Sequence, residues 1–146
     1  MKETSIKAEP KRVLIVEDHP VVRAGLKQLL LTEPELEVCG EAERVEEAIA
    51  MLDATRPDVA LVDLALPGTN GMELIRHLKK YWVGVKIIVV STYDESIYGP
   101  MAAEAGADCY INKHEAMDQI VKAIHAVLAK DRGNGFDGCK TAHWFG

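Results

Sequence analysis

The chain has 146 residues, 48% of them apolar and 27% charged, with a net charge of −6. That length describes one domain, which buries roughly two-thirds of its unfolded surface and so carries a core without covalent staples. The balance excludes a disordered chain, and the acidic charge excludes a domain that grips nucleic acid or an anionic membrane by itself.

Residues 1–10 are polar and aperiodic, and are expected to form a flexible terminus. Five short apolar runs bounded by turn residues follow, at 12–16, 36–39, 59–62, 86–90 and 109–111. The third and fourth lack polar alternation, the mark of strands buried on both faces of a parallel sheet. Helical periodicity fills the gaps. Pro20 suits a first helical turn, and Val22, Leu26, Leu29 and Leu30 then share a face. Val45, Ile49 and Leu52 form a second stripe, and Met72, Ile75, Leu78 and Tyr81 a third, with Asn70 as its cap and Gly71 behind it. The fourth helix would run over 94–106, but Gly99-Pro100 falls at its middle, so helix is expected only from about Pro100 onward. Ile120, Ala123, Ile124, Val127 and Leu128 mark the fifth. Beyond Lys130 periodicity is lost, and 131–146 is expected to be a tail or linker stump with no output domain following. A β-α unit repeated five times predicts a doubly wound α/β sheet.

The apolar runs are too short for a membrane span or a signal peptide. Cys39, Cys109 and Cys139 lack paired spacing, so neither disulfides nor a zinc site is indicated. The expected location is the cytoplasm.

Ligands of open α/β sheets sit beyond the carboxyl ends of the strands. There the sequence puts Glu17-Asp18 after the first strand, Asp63 after the third, Ser91-Thr92 after the fourth and Lys113 after the fifth. Singly, each has an ordinary reading. The acidic pair suits a helix N-terminus, Asp63 an ordinary loop (though the turn over 64–68 would expose its side chain), the hydroxyls a local backbone bond, and Lys113 solvent. Together they converge on one edge. Clustered carboxylates call for a cation, and oxygen ligands favour a hard one, Mg²⁺. With that charge offset, Asp63 is placed to attack a phosphoryl group and form an aspartyl phosphate, while Lys113 and a hydroxyl face the transferring oxygens. His19 reads as a helix-start residue rather than a ligand, and the other histidines show no ligand spacing.

The segments around Glu17-Asp18-His19-Pro20, Asp63 with Pro67-Gly68-Thr69-Asn70-Gly71, Ser91, and Tyr110-Ile111-Asn112-Lys113 resemble the receiver domain of bacterial two-component response regulators, over residues 11–130. Asp18-His19-Pro20 and the lack of Pro after Lys113 look most like the NarL/FixJ (LuxR-type) subgroup. The resemblance implies a flavodoxin-like five-stranded parallel sheet, order 2-1-3-4-5, with helices on both faces. It implies Asp63 as phosphoacceptor, and Glu17, Asp18, Asp63 and the Ala65 carbonyl as Mg²⁺ ligands. Ser91 would be the switch hydroxyl, Tyr110 an aromatic that swings inward, and Lys113 a phosphoryl contact. The implied partner is a sensor histidine kinase. The implied output surface is helix 4, strand 5 and helix 5, where such domains form homodimers or touch an output that controls transcription. No enzyme is implied beyond self-phosphorylation and self-dephosphorylation.

The alternative is a pseudo-receiver that works as an interaction module without phosphorylation; an intact Glu17, Asp18, Asp63, Ser91 and Lys113 speaks against it. A flavin site would want a Gly-rich phosphate loop where Glu17-Asp18-His19 stands. A haloacid-dehalogenase-type phosphatase would want a second aspartate where Ala65 stands.

Overall fold

The computed structural model describes residues 9–129 and the backbone of His143–Trp144. Residues 1–8 and most of the expected tail, Cys139 included, lie outside the described residues. Five parallel strands are β1 (Lys11–Val16), β2 (Leu36–Ala42), β3 (Val59–Val62), β4 (Lys86–Ser91) and β5 (Cys109–Asn112). They lie in the expected order 2-1-3-4-5.

Alternate residues of each strand enter different cores, because successive side chains point to opposite faces. Val13, Ile15, Val59, Leu61, Ile88, Val90, Cys109 and Ile111 pack with Leu26 and Leu30 of α1 (Pro20–Leu31) and with the last helix. Leu14, Val16, Ala60, Val62, Ile87, Val89 and Tyr110 pack on the other face, under helices from the middle of the chain. Both faces are covered, which is why β3 and the middle of β4, residues 87–90, lack polar positions.

The second predicted helix is two: α2 (Val45–Ala50) and α3 (Leu52–Thr55), broken at Met51. Arg56, in the left-handed region at φ 43°, ends α3 ahead of Pro57. The third predicted helix is α4 (Gly71–Tyr81), and the Asn70 side chain caps it by accepting from Met72 N–H at 2.6 Å. The predicted fourth and fifth helices are α5 (Glu95–Ala105) and α6 (Ala116–Ala129), the latter entered through a 3₁₀ turn at Lys113–Glu115.

Two expectations change. The α5 helix starts at Glu95, not at Pro100, and carries the proline inside it. The Asp94 carboxylate caps its start, accepting from Ser96 N–H at 2.9 Å. The residue before a proline is barred from helix mainly by its Cβ, and here that residue is Gly99. The second change is an added strand, β6 (His143–Trp144), antiparallel to β5 with Cys109 opposite Trp144 and Tyr110 opposite His143. Two residues carry no readable period, so only the pairing reveals them.

Candidate functional site

Register levels the candidate residues. Val16 pairs with Val62, so Glu17 and Asp63 leave adjacent strands side by side; Ser91 pairs with Asn112, which puts Lys113 one residue further along. The backbone fixes both acids: Glu17 N–H donates to Ala42 O at 2.9 Å and Asp63 N–H to Val16 O at 3.0 Å. Gly71 closes the floor. Its N–H donates to Leu64 O at 3.0 Å, and a Cβ there would stand 2.3 Å from Asp63 O. Only glycine lets the start of α4 come this near to the Asp63 backbone.

At the centre is a buried ionic triad. Lys113 Nζ donates to Asp63 Oδ2 at 2.9 Å and to Glu17 Oε2 at 3.0 Å. The side chains are 8% exposed for Lys113, 1% for Asp63 and 2% for Glu17. The turn after β3 therefore does not expose Asp63, contrary to the sequence expectation, because the ammonium seals it. Burial pushes the Asp63 carboxyl up; the Lys113 hydrogen bond opposes this, the Glu17 charge adds to it, and the net direction is upward. Burial pulls Lys113 down, but its hydrogen bonds to Asp63 and Glu17 and their charges outweigh it, so the ammonium is held above its ordinary value. Ala65 N–H donates to Asp63 Oδ1 at 3.1 Å, which fixes the carboxylate plane.

Asp18 is half-buried, and its Oδ1 is a buried acceptor with no hydrogen-bond partner among the described residues. Glu17, Asp18, His19 and Asp63 each bring a ligand atom within 4.8 Å of the others.

Ser91 and Tyr110 form a second group. Ser91 is fully buried and its Oγ accepts from Tyr93 N–H at 3.0 Å, whereas Thr92 is exposed. Tyr110 is 1% exposed and its hydroxyl donates to Tyr93 O at 2.9 Å. The ring that the resemblance expects to swing inward thus already lies inside. Burial raises its phenol, and a hydrogen bond from Ser91 eases it.

Sequence reasoning missed two residues. Arg23 donates to Glu17 O at 2.7 Å and approaches Glu41 at 3.3 Å and Glu43 at 3.2 Å, tying the loop after β1 to the end of β2. His19 precedes α1 but does not cap it; its ring turns to the carboxylates, with Nδ1 at 2.7 Å from Glu17 Oε2. The one available signal was Pro20, which reduces the demand for a cap.

Residues 13–125 match the family described as the response regulator receiver domain. The chain belongs to that family. This receiver domain is 36% identical over 123 residues to the nitrate/nitrite response regulator NarL of Escherichia coli K12, covering 83% of this chain and 56% of that protein. It is 41% identical over 120 residues to the DNA-binding transcriptional activator DevR/DosR of Mycobacterium tuberculosis, covering 81% of this chain and 54% of that protein. The chain thus spans about half the length of the curated relatives it matches. A LuxR-family response regulator from Aurantimonas superposes with TM-score 0.77 at 35% identity, covering 83% of this chain and 86% of the other. The NarL signal receiver domain of M. tuberculosis superposes with TM-score 0.77 at 30% identity, covering 87% of this chain and 100% of the other. The curated relatives named here are signalling response regulators of the NarL/LuxR type. Among the described residues no helix is long and apolar enough to cross a membrane.

Proposed function

We propose that Asp63 is the phosphoacceptor of a two-component switch, and the observation that carries this reading is the buried triad of Asp63, Glu17 and Lys113. Two buried carboxylates share one ammonium within 3.0 Å, beside an Asp18 oxygen with no hydrogen-bond partner. That set fits a hard divalent cation, with Glu17, Asp18, Asp63 and the Ala65 carbonyl as the oxygen donors for Mg²⁺. Bound there, Mg²⁺ would offset the carboxylates and the charge of the phosphoryl oxygens.

The chain's own residues do the rest. An Asp63 oxygen attacks the phosphorus of a phosphohistidine on a sensor kinase; the O–P bond forms, the P–N bond breaks, and the imidazole leaves with its electron pair. Lys113 turns from Asp63 Oδ2 to a phosphoryl oxygen, and the Ser91 hydroxyl donates to another. Water later hydrolyses the acyl phosphate, which resets the switch. Ser91 leads directly to the Tyr93–Tyr110 hydrogen bond and to α5, so its movement biases α5, β5 and α6. On that surface Ile97 and Met101, one turn apart, are 59% and 47% exposed, a contact site for a second copy or an output element. In the cytoplasm, within a longer protein, this switch would control transcription.

The test is intact mass after incubation with acetyl phosphate and Mg²⁺, with Asp63→Ala and metal-free controls. One phosphoryl adduct that needs both Asp63 and Mg²⁺ is expected. No adduct, with Mg²⁺ shown not to bind, would replace this reading with the pseudo-receiver.

A further inference from the structure

His19 is in an unusual position for a residue at the start of a helix. Its backbone is extended, at φ −84° and ψ 114°, and its side chain makes no capping hydrogen bond. Pro20 at the first helical position removes one of the unpaired N–H groups there, and the ring does not serve those that remain. It turns into the carboxylates: Nδ1 lies 2.7 Å from Glu17 Oε2, 3.4 Å from Asp18 Oδ1 and 3.9 Å from Asp63 Oδ2. Donors to one ion at about 2.1 Å stand about 3.0 Å apart when adjacent and about 4.2 Å apart when opposite. Two of the three His19 separations, 3.4 and 3.9 Å, fall in that interval, while the 2.7 Å approach to Glu17 Oε2 is at hydrogen-bond length.

The hydrogen bonding points the same way. Nδ1 faces an acceptor, Glu17 Oε2, and at 3.1 Å the Lys113 ammonium, which can only donate. One ring nitrogen cannot answer both. Glu17 Oε2 meanwhile accepts from His19 N and Lys113 Nζ, each at 3.0 Å, and also faces His19 Nδ1, while Asp18 Oδ1 has no hydrogen bond. A divalent ion would resolve the conflict, because Nδ1 and the carboxylate oxygens would then all offer lone pairs to one cation.

We propose that His19 is a metal ligand through Nδ1, which makes this site favour first-row transition ions such as Mn²⁺ over Mg²⁺. Imidazole adds affinity along the first-row series, least for Mn²⁺ and more for Fe²⁺ and Ni²⁺, whereas Mg²⁺ prefers oxygen and gains little from it. The ring is 58% exposed, so it can meet an incoming ion without unfolding its surroundings. The inference rests on Glu17, Asp18 and Asp63 being the metal site.

The experiment uses the whole chain stripped of metal, with Mn²⁺ or Mg²⁺ alone as probe, in wild type, His19→Ala and Asp18→Ala. Mn²⁺ binding is read from the free-ion paramagnetic resonance signal, ¹⁴N coupling from electron spin-echo modulation, and Mg²⁺ binding from calorimetry. Expected are a ¹⁴N coupling in wild type that His19→Ala abolishes, and Mn²⁺ binding about tenfold weaker in that variant. Mg²⁺ binding in His19→Ala should stay within about twofold, and Asp18→Ala should weaken both ions. Mn²⁺ bound without a ¹⁴N coupling, or with one that survives His19→Ala, overturns the ligand assignment alone. Equal weakening of both ions by His19→Ala overturns the selectivity and reduces His19 to a residue that positions Glu17. If wild type binds neither ion, the reading of the carboxylates as a metal site fails as well.

Discussion

Lys113 holds two buried carboxylates at once, and neither Glu17 nor Asp63 can replace it with water while both stay below 3% exposed. Removing one partner of a buried ionic group leaves uncompensated charge, which costs more than the intact pair contributes. Lys113→Ala should therefore lower the stability of the metal-free protein by about 3 kcal/mol in urea unfolding, and Mg²⁺ should restore part of the loss by supplying the missing positive charge. A variant as stable as wild type without metal would mean that the carboxylates are solvated or protonated instead. Ala65 makes a different kind of contribution. Its N–H orients Asp63, but its methyl group is small, so an acyl phosphate formed on Asp63, as proposed, would stay open to water. Ala65→Phe should lengthen the lifetime of the phosphorylated protein, followed by loss of the mass adduct; a shortened lifetime, or a lengthened one in Ala65→Gly, would contradict the steric argument.

At the scale of the element, α5 shows how a local rule is overridden. Pro100 should stop a helix, since it lacks the N–H that would bond Ser96 O and its ring crowds that carbonyl. Gly99 removes the Cβ that makes the preceding residue resist helix, and Asp94 caps the start. The helix survives, but not for free. Proline inside a helix is about 3 kcal/mol worse than alanine, while alanine gives the unfolded chain up to about 1 kcal/mol more entropy to lose. Pro100→Ala should then stabilise the protein by about 2 kcal/mol, seen as a higher urea midpoint at unchanged slope. Destabilisation instead would show that the proline ring packs in a way its exposed position does not suggest. The reverse holds at Met51, where a continuous apolar stripe hid a pair of short helices.

At the scale of the whole molecule, the sheet divides two cores that share no strand residue, and Cys109 lies fully buried in the one beneath α1 and α6. A thiol there meets reagent only when the domain opens, so peptide-resolved alkylation of Cys109 should follow global unfolding and accelerate with urea in step with it. Half-buried Cys39, whose thiol burial pushes up, should react slowly but without unfolding. Modification of Cys109 at the Cys39 rate would reveal a local opening at β5, the edge where β6 pairs.

Strand and helix periods, the strand-end acids and Lys113 were legible in the sequence because each reports a local requirement: burial on one face, or a turn following a strand. From them followed the α/β class, the strand order through the family resemblance, and the residues of the site. Other features depend on partners distant in the chain. The burial of Asp63 requires Lys113, 50 residues away, to reach back across the sheet edge. The pairing of β6 requires the open side of β5, and the inward Tyr110 requires the Tyr93 carbonyl. His19 is the sharpest case, for its sequence context says only that a helix begins. Whether its ring caps that helix or joins the carboxylates is decided by charges gathered from β1, β3 and β5, and no local pattern encodes such a sum.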